Sequence, residues 1–335
     1  MIEVSEIYKY YNEDPAVRGI SFSITENGVY GFLGPNGAGK STTMNIITGC
    51  LAASSGSVKI DGHDIFEEPE KAKAGIGYLP EQPPIYMDMT PYEYLKFVAE
   101  ARGVKKTELK DKIAYAMDVT GITPIKDRLI KNLSKGYKQR VGIAQTMLGN
   151  PGIIILDEPT VGLDPKQITE IRELVRNLGK NHIVLFSSHI LSEVQTISDH
   201  IIIIARGQLI ADSRVHDLDS ILKKEPVIKL RLKGEGKLCM EMLSAATDPE
   251  NIRIISEEDG ISSIEISTET PEKTAEQLFF ACADKRIPII EMTAVKPTLE
   301  EAFLELTERR DTYTDDSSAQ ENAIKLAATN GGEAG

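Results

Sequence analysis

Gly34-Pro35-Asn36-Gly37-Ala38-Gly39-Lys40-Ser41 is the stretch from which the rest of the chain can be read. It matches the pattern G-x-x-x-x-G-K-[S/T]. An apolar run at 29–33 precedes it, and a helix-like segment, 42–51, follows. Strand, glycine-rich loop, then helix is the context that gives the pattern its meaning. Glycines let the backbone curl until successive N–H groups face one point, which suits phosphate oxygens. The positive end of the helix dipole lies at the same place. Lys40 is spaced to reach β- and γ-phosphates, and Ser41 offers a hydroxyl oxygen to Mg²⁺.

A second anchor is Ile153-Ile154-Ile155-Leu156-Asp157-Glu158, a buried-strand pattern that ends in two carboxylates. Alone it reads equally well as a strand and a turn. Beside a phosphate loop it supplies what phosphoryl transfer needs at the C-terminal edge of a parallel sheet. Asp157 can hold the metal through water, and Glu158, pointing elsewhere, can polarise the attacking water.

Around these anchors, up to about residue 214, short apolar strands (Gly28–Leu33, Ile153–Leu156, 183–187 and 201–205) alternate with amphipathic helices. The order predicts a mostly parallel sheet covered by helices. Thr90-Pro91-Tyr92-Glu93 has the form of a capping box with proline in the first turn. Asp164-Pro165 opens a helix with Ile168, Ile171, Leu174, Val175 and Leu178 on one face, and Gly179 is expected to end it. From about residue 217 the texture changes. Strands are expected at Val227–Lys233, 252–255, 261–266 and 287–292, with a helix over Pro271–Asp284 and a last helix at 298–309. This predicts a small α+β domain, followed from 311 by a polar tail that lacks apolar periodicity and is expected to be disordered.

The chain has 335 residues, 41% of them hydrophobic, enough for one large domain and a smaller one. No apolar run approaches the roughly 20 residues of a membrane-spanning helix, and residues 1–14 carry no secretory signal pattern; a cytoplasmic location is expected. The three cysteines, Cys50, Cys239 and Cys282, are far apart and expected to be reduced. A net charge of −13 disfavours a nucleic-acid partner.

Taken together, residues 1–215 resemble the ATP-binding cassette (ABC) superfamily. Leu133-Ser134-Lys135-Gly136-Tyr137-Lys138-Gln139 is similar to its signature segment, with Lys and Tyr where the family usually has Gly and Gln. Val161-Gly162-Leu163-Asp164 resembles the loop that links two sites of a dimer. His189, in Ser187-Ser188-His189, resembles the family's switch histidine. Tyr11 resembles the aromatic residue that stacks on adenine, with Tyr10 as the alternative. At the position of the family's loop glutamine stands Glu81, followed by Gln82, and either has an oxygen able to reach Mg²⁺ or its water. Residues 78–90 and the segment 133–140 look most like motor subunits of ABC-2-type and multidrug-type exporters, as does Lys296-Pro297-Thr298-Leu299-Glu300-Glu301-Ala302-Phe303-Leu304.

The resemblance implies an α/β P-loop cassette over 1–217: a mostly parallel core sheet with an antiparallel edge, and a helical subdomain at about 88–145. It also implies a C-terminal accessory domain at 218–310. The implied catalytic residues are Glu158 and His189. The implied ATP contacts are Tyr11, Gly34, Pro35, Asn36, Gly37, Ala38, Gly39, Lys40, Ser41, Thr42, Glu81, Gln82, Ser134, Lys135, Gly136 and Asp164, with Ser41, Asp157 and Gln82 at the metal. Two ATP molecules would be sandwiched between two subunits, a homodimer or a pair of close relatives. A separate membrane permease would be the partner, holding the chain at the inner face of the membrane. The competing function is an ABC ATPase acting on nucleic acid or the ribosome. Lys40 and Asp157 stand too close in sequence to enclose a long coiled coil, and only one phosphate loop is present, which favours transport. A small-molecule kinase would not account for the segment 133–139 or for His189.

Overall fold

Strand β3 (Gly28–Leu33) is buried at all six positions. A strand covered on both faces belongs in the middle of a parallel sheet flanked by helices, and that is where it lies. The computed structural model describes residues 1–217, 226–244, 247–295 and Phe303. Their contacts divide the chain into two units, Met1–Leu218 and Asp219–Gly335, each with its own apolar core.

In the first unit, β1 (Ile2–Tyr11), β2 (Asp14–Ile24), β4 (Ser55–Ile60) and the short β5 (His63–Asp64) form an antiparallel sheet ordered β2-β1-β4-β5. The main sheet contains β6 (Ile76–Leu79), β7 (Ile153–Leu156), β8 (Ile183–Ser188), β9 (His200–Ala205) and β10 (Gln208–Arg214) as well as β3, in the order β10-β9-β3-β8-β7-β6. All its pairings are parallel except β9 with β10. Helices α1 (Lys40–Ile47), α2 (Pro69–Ala74), α3 (Pro91–Ala101), α4 (Leu109–Val119), α5 (Lys135–Thr146), α6 (Pro165–Gly179) and α7 (Leu191–Ile197) complete the unit. The three helices α3, α4 and α5 pack on one another between β6 and β7. Helix α3 begins with the expected capping box, since Thr90 accepts from the Glu93 N–H and the Glu93 carboxylate accepts from the Thr90 N–H.

Helix α1 begins two residues earlier than expected, at Lys40, and stops at Ile47. Gly49 adopts a left-handed φ of 67°. The N–H groups of Cys50 and Leu51 then turn back onto the Asn45 carbonyl at 2.8 and 3.0 Å, which satisfies the helix end and stops propagation. Gly179 does not stop α6 in the expected way: it is the last helical residue, and Lys180 caps with helical dihedrals. A Cβ at Gly179 would stand 2.5 Å from Val29 Cγ2, so the glycine lets the helix lie close against β3.

The second unit pairs its strands in the order 252–258, 261–267, 227–233 and 289–295, all antiparallel. Helices Gly236–Leu243 and Pro271–Asp284 give Cys239, Leu243, Leu278 and Cys282 to its core. The last strand is Ile289–Val295 rather than 287–292. Pro288 has no N–H to donate to the ladder and joins it only through its carbonyl, which accepts from the Lys233 N–H at 3.0 Å. The expected helix at 298–309, apart from buried Phe303, and the tail from 311 lie outside the described residues.

Candidate active site

Because β3, β6, β7 and β8 run parallel, their C-terminal ends lie along one edge of the sheet, where ligands bind in this architecture. The loops leaving these four strands line one cleft with Asn36, Gly37, Gly39, Lys40, Ser41, Thr42, Glu81, Glu158 and His189. Val161 and, from β2, Ala16 complete it.

The phosphate loop depends on two left-handed residues, Gly37 at φ 79° and Gly39 at φ 98°. At Gly39 a Cβ would also come within 2.6 Å of the Ala16 carbonyl. Helix α1 has no acidic residue in its first turn and no side-chain cap, so its first N–H groups and dipole end present positive potential to the cleft. Lys40 is 6% exposed. Its ammonium donates to the carbonyls of Gly34 at 2.8 Å and Pro35 at 3.2 Å, and it stands 3.5 Å from Glu158 Oε1.

Buried Asp157 follows β7 directly and is held by neighbouring hydroxyls. Ser187 donates to Asp157 Oδ1 at 2.5 Å, and Ser41 donates to the same oxygen at 3.4 Å. The Ser187 oxygen also accepts the Glu158 N–H at 2.8 Å. The Ser41 hydroxyl and Asp157 carboxylate form an all-oxygen pair suited to a small hard cation. Among the described residues no group of three or more His, Cys, Asp or Glu side chains could hold a metal alone. A cation here would therefore complete its shell with phosphate oxygens and water. Tyr78 donates to Asn45 Oδ1 at 3.2 Å on α1. Burial, followed by the Asp157 charge, raises its phenol pKa far above the ordinary value, so it remains a neutral donor.

Glu158 has φ 48°, left-handed for a non-glycine residue and strained on that account. The backbone leaves the strand direction at this residue. The carboxylate then lies between Lys40, on Oε1, and His189, whose Nδ1 is 3.0 Å from Oε2. An ionised carboxylate can only accept, so Nδ1 carries the proton and Nε2 is left for another partner. The arrangement places a cation, a buried carboxylate and an imidazole around one point beside the loop. Such a set can bind a phosphate chain and polarise water against its terminal phosphorus.

Not every expected residue reaches this cleft. Gln82 is exposed and does not line it, whereas Glu81 does. Gly34, Pro35 and Ala38 act through their backbone: the first two hold Lys40, and the Ala38 carbonyl accepts from Gly207 N–H at 2.9 Å. Tyr11 is 49% exposed, with the Lys9 ammonium 5.6 Å from its ring centre, while Tyr10 stacks on Tyr8. Ser134, Gly136 and Asp164 line a second cleft with Arg140, Lys166 and Gln167. There Ser134 caps α5 by accepting the Tyr137 N–H, and Asp164 caps α6 by accepting the Gln167 N–H. Lys135 does not line either cleft, and a Cβ built on Gly162 would stand 2.2 Å from its Nζ. Ala16 and Ser187 are not among the residues expected at the site, and Val161 is expected only as part of the loop 161–164 that resembles the dimer link. Ala16 has no chemical or periodic signature, while Ser187 is visible in sequence only as part of Ser187-Ser188-His189.

A family model described as ABC transporter matches residues 17–161. The chain is 33% identical over 310 residues to the linearmycin resistance ATP-binding protein LnrL of Bacillus subtilis (strain 168), covering 92% of this chain and 99% of that one. It is 31% identical to the bacitracin transport ATP-binding protein BcrA of Bacillus licheniformis, covering 91% and 97%. Among solved structures, the ADP conformation of MJ1267, an ATP-binding cassette of an ABC transporter, superposes with a TM-score of 0.58. It is 29% identical over 66% of this chain and 94% of that one.

Proposed function

The chain belongs to the ABC transporter family, whose ATP-binding subunits are ATPases coupled to transport, and from that premise we propose which residues drive its cycle and what it moves. The main cleft takes the triphosphate of ATP against the backbone of residues 34–42, with Lys40 on the β- and γ-phosphates. Mg²⁺, when bound, neutralises charge on those phosphates, and Ser41 and Asp157 are the residues to hold it, with Glu81 facing it in place of Gln82. Glu158 polarises the attacking water, and His189 contacts the γ-phosphate while fixing the Glu158 carboxylate. The observation that carries this reading is the single Glu158 carboxylate placed 3.5 Å from Lys40 and 3.0 Å from His189.

Ser134, Gly136 and Asp164 lie in a different cleft of the same unit, with Lys135 next to them in the first turn of α5, so these four serve a nucleotide held by a second ATP-binding subunit. Tyr11 takes the adenine. Residues 1–217 form the ATPase domain and 218–310 an accessory domain. No described helix is long and apolar enough to cross a membrane, which supports a separate permease as partner and a position at the inner face of the membrane. Tyr86, Met87, Tyr92 and Phe97 expose apolar surface around the start of α3 and suit that contact. The names of LnrL and BcrA support export of antibiotic-like molecules rather than work on nucleic acid.

Calorimetric titration of the full chain with Mg-ATP tests the site. Saturable uptake is expected for the wild type and none for Lys40→Ala. A folded wild-type chain that takes up no Mg-ATP overturns the reading.

A further inference from the structure

Glu193 is a carboxylate 3% exposed that has no part in the cleft. It lies in the first turn of α7. Its Oε2 accepts from the Thr160 hydroxyl at 2.9 Å and from the Ser188 hydroxyl at 3.1 Å. Its Oε1 stands 3.3 Å from an Arg172 guanidinium nitrogen on α6. The Ser188 oxygen accepts in turn from the Ile190 N–H at 3.0 Å. One buried side chain therefore holds the loop that leaves β7 two residues beyond Glu158, and the loop that leaves β8 on both sides of His189.

We propose that Glu193 is a positioning residue for ATP hydrolysis, clamping these two loops to one carboxylate so that His189 and Glu158 stay in hydrogen-bonding register. The inference rests on the roles given above to Glu158 and His189. The His189 side chain is 40% exposed, so packing restrains it little and its direction follows from the backbone at 188–190. A carboxylate suits the clamp because one oxygen can accept from two hydroxyls while the other meets a cation. Arg172 balances the buried charge, and its Nε has no hydrogen-bond partner.

The test is steady-state hydrolysis by the full chain, with Mg-ATP affinity and melting temperature measured alongside. Glu193→Gln keeps the volume and one acceptor oxygen but loses the ion pair. Ser188→Ala leaves the ion pair intact and removes the tie to His189, so it remains informative if Glu193→Gln folds poorly. Each should lower kcat by about tenfold, the scale of a small misplacement of catalytic groups, with KM unchanged. Combined with His189→Ala, each should add no further loss, because both act through the imidazole. Wild-type kcat in the two variants, or losses that multiply with that of His189→Ala, overturns the clamp. A His189→Ala protein with wild-type kcat indicts the assignment of His189 itself, which separates the two failures.

Discussion

His189 Nδ1 lies 3.0 Å from Glu158 Oε2, joining the loops after β8 and β7 through a contact between a half-exposed imidazole and a buried carboxylate. The same carboxylate reaches Lys40 of the phosphate loop at 3.5 Å. Three segments far apart in sequence therefore meet on one side chain. On this account His189→Ala lowers kcat by about 10²-fold or more, in the range for a lost acid–base partner. Its equilibrium affinity for Mg-ATP, measured by calorimetry, stays near the wild-type value.

Ser187 is fully buried and divides its single hydroxyl between Asp157 and the Glu158 N–H. Ser187→Ala leaves that N–H unsatisfied in the core, which costs about 1–3 kcal/mol. The prediction is a lowered urea midpoint together with weaker Mg²⁺ dependence of nucleotide binding.

Gly179 allows α6 to lie against β3. Gly179→Ala forces a methyl group to within 2.5 Å of Val29 Cγ2, and overpacking of this kind costs about 1–3 kcal/mol. Chemical denaturation should show the loss, whereas an alanine that only improves helix propensity would stabilise the protein.

Cys282 has its thiol pushed up to about 11, chiefly by burial and then by Cys239, and burial raises Cys239 in the same direction. Cys50 is exposed. Thiol reagents at pH 8 should label Cys50 in the native chain and the other two only after unfolding. The folded pKa of Cys282 exceeds its ordinary value of 9.0. Its stabilising contribution is therefore intact below pH 9 and lost as the pH rises toward 11. A melting temperature that held constant over this window would contradict the burial assigned to this thiol.

The fold was legible wherever one local signal governed it. The loop at 34–41 required a strand before it and a helix after it, and the apolar run Ile153–Leu156 required burial on both faces. The capping box at Thr90 is formed by neighbours in sequence and appears as read. What could not be read depends on distant partners. Gly179 looks like a helix stop until Val29 is seen beside it. Ala16 lines the cleft only because β2 passes the phosphate loop. Glu81 and Gln82 were equivalent in sequence, and only the path of the chain after β6 turns Glu81 into the cleft. Glu193 carries no local signal in the sequence, because its three partners, Thr160, Ser188 and Arg172, come from three separate segments.

Glu158, as the group that polarises water, is the residue on which turnover depends most directly. The deciding measurement is Mg-ATP binding and phosphate release by the Glu158→Gln chain, made side by side with the wild type. Near-wild-type affinity with phosphate release reduced by about 10²-fold or more is predicted, together with accumulation of an ATP-bound dimer. Phosphate release at the wild-type rate would contradict it.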